Sequence, residues 1–378
     1  QITHTAANLG AIVGKIKVTV LSGNADLQGI INVNNKGYAG GNTDGHNGYG
    51  PGGGIGWFSS YGTGGAGGAG HASPGAAGAN SAGGTTYQTL RTPTDLGSGG
   101  GRGYSYSYGT GAAGAGGGNI YLYTNGNLSI SGNISADGQA GAKYSGGGSG
   151  GSIYLHGANV SISSIISASG AVGGTSAGAG SSGRILIEHT GTYTNTGSIS
   201  ISAGSGNGTA YVADLTNNDI TIPVNNATWY SSYLDSWSFR NLYVNGNVTF
   251  KPSTTTLFTI TLSNDLILGS NTTISSAGYY STDTDGVGIY YNIGRNLTIP
   301  STSKINGDGL GYAGGSSPSV YNGRGDGKGL GVSNHNYGNV TGSGGGHGGA
   351  GGSGGAGAGG AAYDSIGIPL YNGGNPSL

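Results

Sequence analysis

Three segments of this chain carry the same passage of sequence, and that repetition constrains the fold more than any other feature. Residues 118–138 read GNIYLYTNGNLSISGNISADG, residues 151–170 read GSIYLHGANVSISSIISASG, and residues 183–204 read GRILIEHTGTYTNTGSISISAG. The leading isoleucines, Ile120, Ile153 and Ile185, are 33 and 32 residues apart; the trailing ones, Ile134, Ile166 and Ile201, are 32 and 35 apart. A fixed period in this range marks stacked supersecondary units, none of which can bury its apolar face alone. In the first unit Ile120 and Leu122 alternate with tyrosines, and Leu128 and Ile130 alternate with Asn127, Ser129 and Ser131. That is the period-two pattern of strands with one buried face. Residues 15–37 repeat the theme through Ile16, Val18 and Val20, and residues 266–278 through Leu266 and Ile274. The fold class expected is all-β: a parallel β-solenoid, or β-helix-like stack, with coils of about 32–35 residues.

Glycine fills the space between these units. It supplies 89 of 378 residues, against roughly 7% in ordinary globular chains. A second duplication organises it: INVNNKGYAGG at 31–41 matches INGDGLGYAGG at 305–315. Each copy runs through a glycine tract to similar punctuation, Tyr87-Gln-Thr-Leu-Arg-Thr-Pro93 and Tyr363-Asp-Ser-Ile-Gly-Ile-Pro369. With almost no side chains, tracts such as 62–79 and 341–362 are open to polyproline-II geometry, three residues per turn and no internal hydrogen bonds. Ordered packing of such strands through their backbones is the preferred reading, and disordered linker is its alternative. Residues 211–262 differ in texture, with Trp229, Tyr230, Tyr233, Trp237, Phe239, Tyr243, Phe250 and Phe258 and little glycine. Core packing is preferred for these aromatics; a binding surface is the alternative. Six segments result: an N-terminal strand unit (1–37), a first glycine-rich module (38–117), solenoid coils (118–210), an aromatic-rich β insertion (211–262), a further β coil (263–300) and a second glycine-rich module (301–378).

The order of GYAGG, glycine tract, Tyr87…Pro93 punctuation, GGGNIYLY…ISGNISADG and GGGSGGSIYL…ISASG…GRILIEH resembles a family of glycine-rich β-helical repeats. Such repeats occur in very large secreted and cell-surface proteins of bacteria and archaea, adhesins among them. The resemblance spans residues 15–205 closely and 300–374 more loosely, and leaves out 206–262. It implies an extracellular structural or adhesive role and brings no catalytic residues with it.

Charge and chemistry point the same way. Only 7% of residues are charged and the formal net charge is −1, so no electrostatic footprint for nucleic acid or an anionic membrane exists. No stretch approaches the ~20 apolar residues of a membrane-spanning helix. Cys and Met are absent, and a chain of this length can build its core without disulfides. The opening at Gln1 predicts removal of a secretory signal, or excision from a longer polypeptide, and places the protein outside the cell or on its surface. The acidic set is thirteen Asp and one Glu, Glu188. Asp283 and Asp285 read as a solvated turn, since the remaining ligands of a calcium loop are missing. His46, His71 and His347 sit singly in glycine tracts without metal-ligand spacing, and Arg324-Gly-Asp326 is a chance tripeptide in so glycine-rich a chain. No catalytic residue, cofactor or metal is assigned. Nine sequons begin at Asn127, Asn133, Asn159, Asn207, Asn226, Asn247, Asn271, Asn296 and Asn339; chance alone supplies as many in a chain this rich in Asn, Ser and Thr.

The function expected is that of a non-enzymatic subunit of a cell-surface filament or sheath. Head-to-tail self-assembly is the expected partner chemistry, because the strand unit at 15–37 is what the last glycine module lacks after it. An adhesin binding surface glycans through Tyr104, Tyr106 and Tyr108 is the first alternative, and a polysaccharide-active β-helix enzyme the second. A pocket holding two or more carboxylates within ~10 Å would favour the enzyme.

Overall fold

The computed structural model describes residues 1–6, 14–59, 63–87, 93–105, 111–202, 208–224, 227–230, 237–251, 258–276 and 289–307, with two short strands at 331–333 and 340–342. Outside these lie Asn207, Asn226, Asn339, Tyr106, Tyr108, Tyr233, Asp283, Asp285, Arg324, Asp326, His347 and nearly all of the second glycine-rich module. The described residues are all-β, with no helix among them.

In chain order the strands begin with β1 (Ile16–Val20), β2 (Ala25–Leu27), β3 (Ile31–Asn32), β4 (Thr63–Gly64) and β5 (Tyr104–Ser105). The three repeated passages give β6 (Asn119–Thr124), β7 (Leu128–Ile130) and β8 (Ile134–Ser135); β9 (Ser152–Gly157), β10 (Val160–Ile162) and β11 (Ile165–Ser167); and β12 (Arg184–His189), β13 (Tyr193–Asn195) and β14 (Ser198–Ser200). Then come β15 (Thr209–Asp214), β16 (Asp219–Ile222), β17 (Ala227–Tyr230), β18 (Trp237–Phe239), β19 (Asn241–Val244), β20 (Val248–Lys251) and β21 (Phe258–Leu262). The last are β22 (Leu266–Leu268), β23 (Thr273–Ser276), β24 (Ile289–Ile293), β25 (Leu297–Thr298), β26 (Lys304–Asn306), β27 (Gly331–Ser333) and β28 (Val340–Gly342).

The chain divides into two compact units. The larger holds Gln1–Thr249, Thr261–Ile274 and Asn292–Lys304; the smaller holds Phe250–Ile260, Ser275–Tyr291 and Ile305–Leu378. Within the smaller, β27 and β28 pair antiparallel through Val332 and Thr341, and the Phe250 and Tyr291 rings meet edge-to-face at 6.2 Å.

Within the larger unit the sequence repeat becomes parallel sheets in register. Ile16, Ile120, Ile153, Ile185 and Ala210 stand opposite one another on β1, β6, β9, β12 and β15. A second sheet pairs Ala25, Leu128, Val160 and Tyr193, and a third pairs Ile31, Ile134, Ile166 and Ile199. Ile199, not Ile201, is therefore the partner of Ile166. A two-residue slip leaves every side chain on its own face, so alternation alone could not choose between them, and the true spacing is the more even one. Ile31, Ile120, Ile134, Ile153, Ile166 and Ile185 are all buried, each contributing roughly 1.5–3 kcal/mol of transfer free energy.

The long sheet runs on past the repeats, in the order β1-β6-β9-β12-β15-β16-β19-β22-β25. Its direction reverses once, where β15 and β16 pair antiparallel. Its buried face changes there too. Residues opposite one another across neighbouring strands share a face, and one such row is Thr19, Tyr123, His156, Glu188, Ala213, Ile220, Leu242, Leu266 and Leu297. The adjacent row, on the other face, is Val18, Leu122, Leu155, Ile187, Val212, Thr221, Tyr243, Ile267 and Thr298. Leu122, Leu155, Ile187 and Val212 are buried in the first half; Ile220, Leu242 and Leu266, on the opposite face, are buried in the second. β16 and β19 thus continue the same sheet with the core on the face of Ile220 and Leu242, a face on which Leu186 and Tyr211 are already buried before the hairpin. Trp229, Trp237 and Phe239 are buried, as the preference for core packing expects.

The described glycine tracts are packed and hydrogen-bonded through their backbones. Gly97 and Gly100 donate to the carbonyls of Gly117 and Gly114, both at 2.8 Å, and Gly114 and Gly117 donate to Gly146 and Ser149 at 2.9 and 2.8 Å. Gly146 and Ser149 donate to Gly101 and Ser98, Gly147 and Gly150 to Gly178 and Ser181, and Gly178 and Ser181 to Ala66 and Ala69. In every case the two donors are three residues apart. The tracts approach so closely that a Cβ at Gly48, Gly67, Gly114 or Gly151 would overlap a neighbouring carbonyl oxygen.

Candidate functional site at the change of buried face

The hairpin that reverses the sheet is set by its own side chains. Asp214 accepts the backbone N–H groups of Thr216 and Asn217, both at 3.0 Å, and the Asn217 side-chain amide at 2.7 Å. Asn218 takes a positive φ of 56°, a conformation that Asn tolerates at such turns. Burial pushes the Asp214 carboxyl up, but the Asn217 hydrogen bonds, His189 nearby and the Thr216 amide outweigh it and hold it below its ordinary value.

Asp219 anchors the far side. It receives Arg240 Nε at 2.9 Å and Nη2 at 2.7 Å, together with the Asn241 backbone and side-chain amides at 3.1 Å. The fork geometry of guanidinium on carboxylate fixes β16 against the turn into β19. Asp219→Ala is expected to lower stability by about 2–3 kcal/mol, because Asn241 loses its charged acceptor inside the sheet. Urea titration measures it; a change below about 0.5 kcal/mol would show that this cluster does not hold the hairpin.

Beside the hairpin the outer face of β12 meets the new core. Glu188 accepts the Tyr154 hydroxyl at 2.5 Å; burial first, and this bond second, push the Tyr154 hydroxyl far up. Tyr154 stacks on Tyr121 at 4.6 Å, and the Lys17 ammonium lies 5.4 Å from the Tyr121 ring centroid. Tyr123 stacks on His156 at 4.2 Å. Trp237 meets Trp229 at 4.2 Å and Phe239 at 4.8 Å, both edge-on, with Tyr211 at 6.1 Å. Between these groups a cavity of about 150 Å³ opens, lined by Glu188, Tyr211, Asp214, Asp219, Trp237 and Phe239 among others. Three carboxylates on one aromatic-walled cavity were not legible in the sequence. Glu188 stood out only as the single Glu, and its nearness to the hairpin follows from the Glu188–Ala213 pairing.

The sequons that are described sit on exposed corners. Asn127 accepts the Asn159 side-chain amide at 2.8 Å, and Asn159 in turn accepts the Thr192 N–H at 2.7 Å. Asn133 and Asn247 accept the N–H groups of Ile165 and Thr273 at 3.2 and 3.0 Å. Asn296 donates its side-chain amide to Asp265 at 3.0 Å, and Asn271 holds a positive φ of 57°. At Asn159 and Asn296 the nitrogen that would carry a glycan is therefore already engaged. Of the proposed tyrosine patch only Tyr104 is described, against Phe58 at 4.7 Å. His71 is buried, with Nδ1 2.7 Å from the Gly150 carbonyl. No group of three or more His, Asp or Glu among the described residues is arranged to hold a metal ion, and no described helix is long and apolar enough to cross a membrane.

No family model, curated protein or solved structure matches this chain.

Proposed function

We propose that this chain is an extracellular structural protein, a β-solenoid carrying a polyproline-II-like glycine bundle, which assembles head-to-tail into a cell-surface filament or sheath. The resemblance to glycine-rich β-helical repeats belongs to this proposal. The carrying observation is the long sheet, whose in-register rungs end on two strands with exposed apolar residues. Among the described residues β1 and β25 are its end strands, with Val18 of β1 39% and Leu297 of β25 50% exposed, and Leu21 and Ile299, one residue beyond each strand, 78% and 40% exposed. Open edges of this kind normally need a cap. β1 and β25 run in opposite directions, since the sheet reverses once, so β25 of one copy against β1 of the next would form an antiparallel junction. That junction would repeat what β15 and β16 do inside the chain, and the buried face would change back. A heterologous contact of this type propagates unless rotation closes it. The three-residue step of the hydrogen bonds between glycine tracts supports the polyproline-II reading, because three residues make one turn of that helix.

Residue Ile2 already pairs with Ile31 of its own chain, so β1 is the segment through which residues 1–20 would meet a neighbour. Deleting residues 1–20 is expected to leave a folded chain that stays monomeric in analytical ultracentrifugation at concentrations where the full chain polymerises. Filaments of unchanged repeat from the truncated chain would sink the head-to-tail reading.

The carboxylates around the cavity favour a second reading, a polysaccharide-active enzyme. Against it stands their engagement: Asp214 and Asp219 hold the hairpin through both oxygens. Release of reducing ends from acidic or neutral polysaccharides would establish it; none is expected.

A further inference from the structure

We propose that the cavity at the change of buried face binds a compact alkylammonium head group, a ligand that the structural reading does not require. Its wall combines aromatic rings with an excess of negative charge. Tyr211, Trp237 and Phe239 form the apolar side, and Glu188, Asp214 and Asp219 the polar side. Arg240 answers Asp219 and His189 lies near Asp214, while among the described residues no ion pair reaches Glu188. Aromatic rings together with carboxylates are the chemistry that holds quaternary and alkylated ammonium ions.

Hydrogen-bonding capacity separates this ligand from a sugar. Asp214 accepts three hydrogen bonds from its own turn, and Asp219 is filled by Arg240 and Asn241. Glu188, which lines the cavity, accepts the Tyr154 hydroxyl on Oε2 and keeps Oε1 as a second acceptor. A monosaccharide brings several hydroxyls that each need a partner once desolvated. An ammonium ion asks only for field and aromatic contact, which are what the wall supplies. The cavity also has a structural origin: it lies where one row of the sheet passes from Tyr123, His156 and Glu188 through Ala213 to Ile220 and Leu242, polar before the hairpin and apolar after it.

The test is calorimetric titration of the full chain with choline, tetramethylammonium, dimethylbutanol (the neutral carbon isostere of choline) and N-acetylglucosamine. Choline and tetramethylammonium are expected to bind, more weakly at high salt, and dimethylbutanol at least about tenfold more weakly than choline. Glu188→Gln, which keeps an acceptor for Tyr154, is expected to lower choline affinity by about tenfold. Leu215→Trp is the second variant. Leu215 lines the cavity and is 47% exposed, so the larger ring should block the mouth without disturbing the core. Equal binding of choline and dimethylbutanol, an unchanged affinity in Glu188→Gln, or absence of choline binding would each overturn the proposal. Binding of N-acetylglucosamine in place of choline would overturn it in favour of a carbohydrate site.

Discussion

Replacing Gly114 by valine is expected to destabilise the chain by about 3 kcal/mol or more, the upper range for overpacking. Gly114 donates to Gly146 at 2.9 Å and accepts from Gly100 at 2.8 Å, so its tract is bonded on two sides at once. A Cβ there would overlap the Gln139 carbonyl oxygen and lie 2.6 Å from the Gly148 nitrogen. Every obstructing atom is backbone, and none can rotate away. The tracts would have to separate, breaking hydrogen bonds in groups because neighbouring tracts share them. Gly29→Ala is the control: nothing lies within 4 Å of a Cβ at that exposed position, and a change within about 0.5 kcal/mol is expected. Thermal melting of the two variants measures the difference. Equal stabilities would mean that the glycine tracts do not hold the fold together.

High pH should unfold the protein through its enclosed tyrosines. The Tyr87 hydroxyl lies between the Leu96 carbonyl, to which it donates at 2.6 Å, and the Ser98 hydroxyl at 3.0 Å. Burial pushes its ionisation far up, against the opposing Ser98 bond. Burial likewise pushes Tyr193 up to about 12, against Asn195. An unfolded tyrosine ionises near 10. The folded state therefore keeps protons that the unfolded state loses, and the sign follows: these groups leave stability intact below about pH 10 and withdraw it as pH rises toward about 12. Tyr87 and Tyr193 together give a slope of up to about 2.7 kcal/mol per pH unit, less where solvent screens them, and Tyr154 adds to it in the same direction. Tyr193→Phe should shift alkaline unfolding to higher pH and reduce the slope; an unchanged alkaline midpoint would contradict the assignment.

The rung spacing was legible because it is local and repeated. Ile120, Ile153 and Ile185 stand opposite one another as their spacing predicts, and the alternation of Leu128 and Ile130 with serines marks their buried face. What alternation cannot say is which side of a sheet will be covered. Ile220 and Ile222 alternate like the earlier strands, yet their partners Leu242 and Val244 place the core on the opposite face. That change depends on the antiparallel pairing of β15 with β16, which residues 211–222 do not announce. The cavity was hidden for the same reason, since Glu188 and Trp237 come to line one cavity only after the turn. Order in the glycine tracts was legible in outline, from their fixed ends. Its bonding was not, because Gly178 pairs with Ala66 across more than a hundred residues of sequence and no side chain records the partner.

Fibre diffraction from aligned assemblies of the purified full chain tests the central claim most directly. Head-to-tail stacking of the long sheet would place its strands across the fibre axis, so a strong meridional reflection at about 4.8 Å is predicted, from unbranched filaments visible by electron microscopy. A chain that stays monomeric at every concentration, or filaments whose 4.8 Å spacing lies on the equator, at about that value, would contradict it.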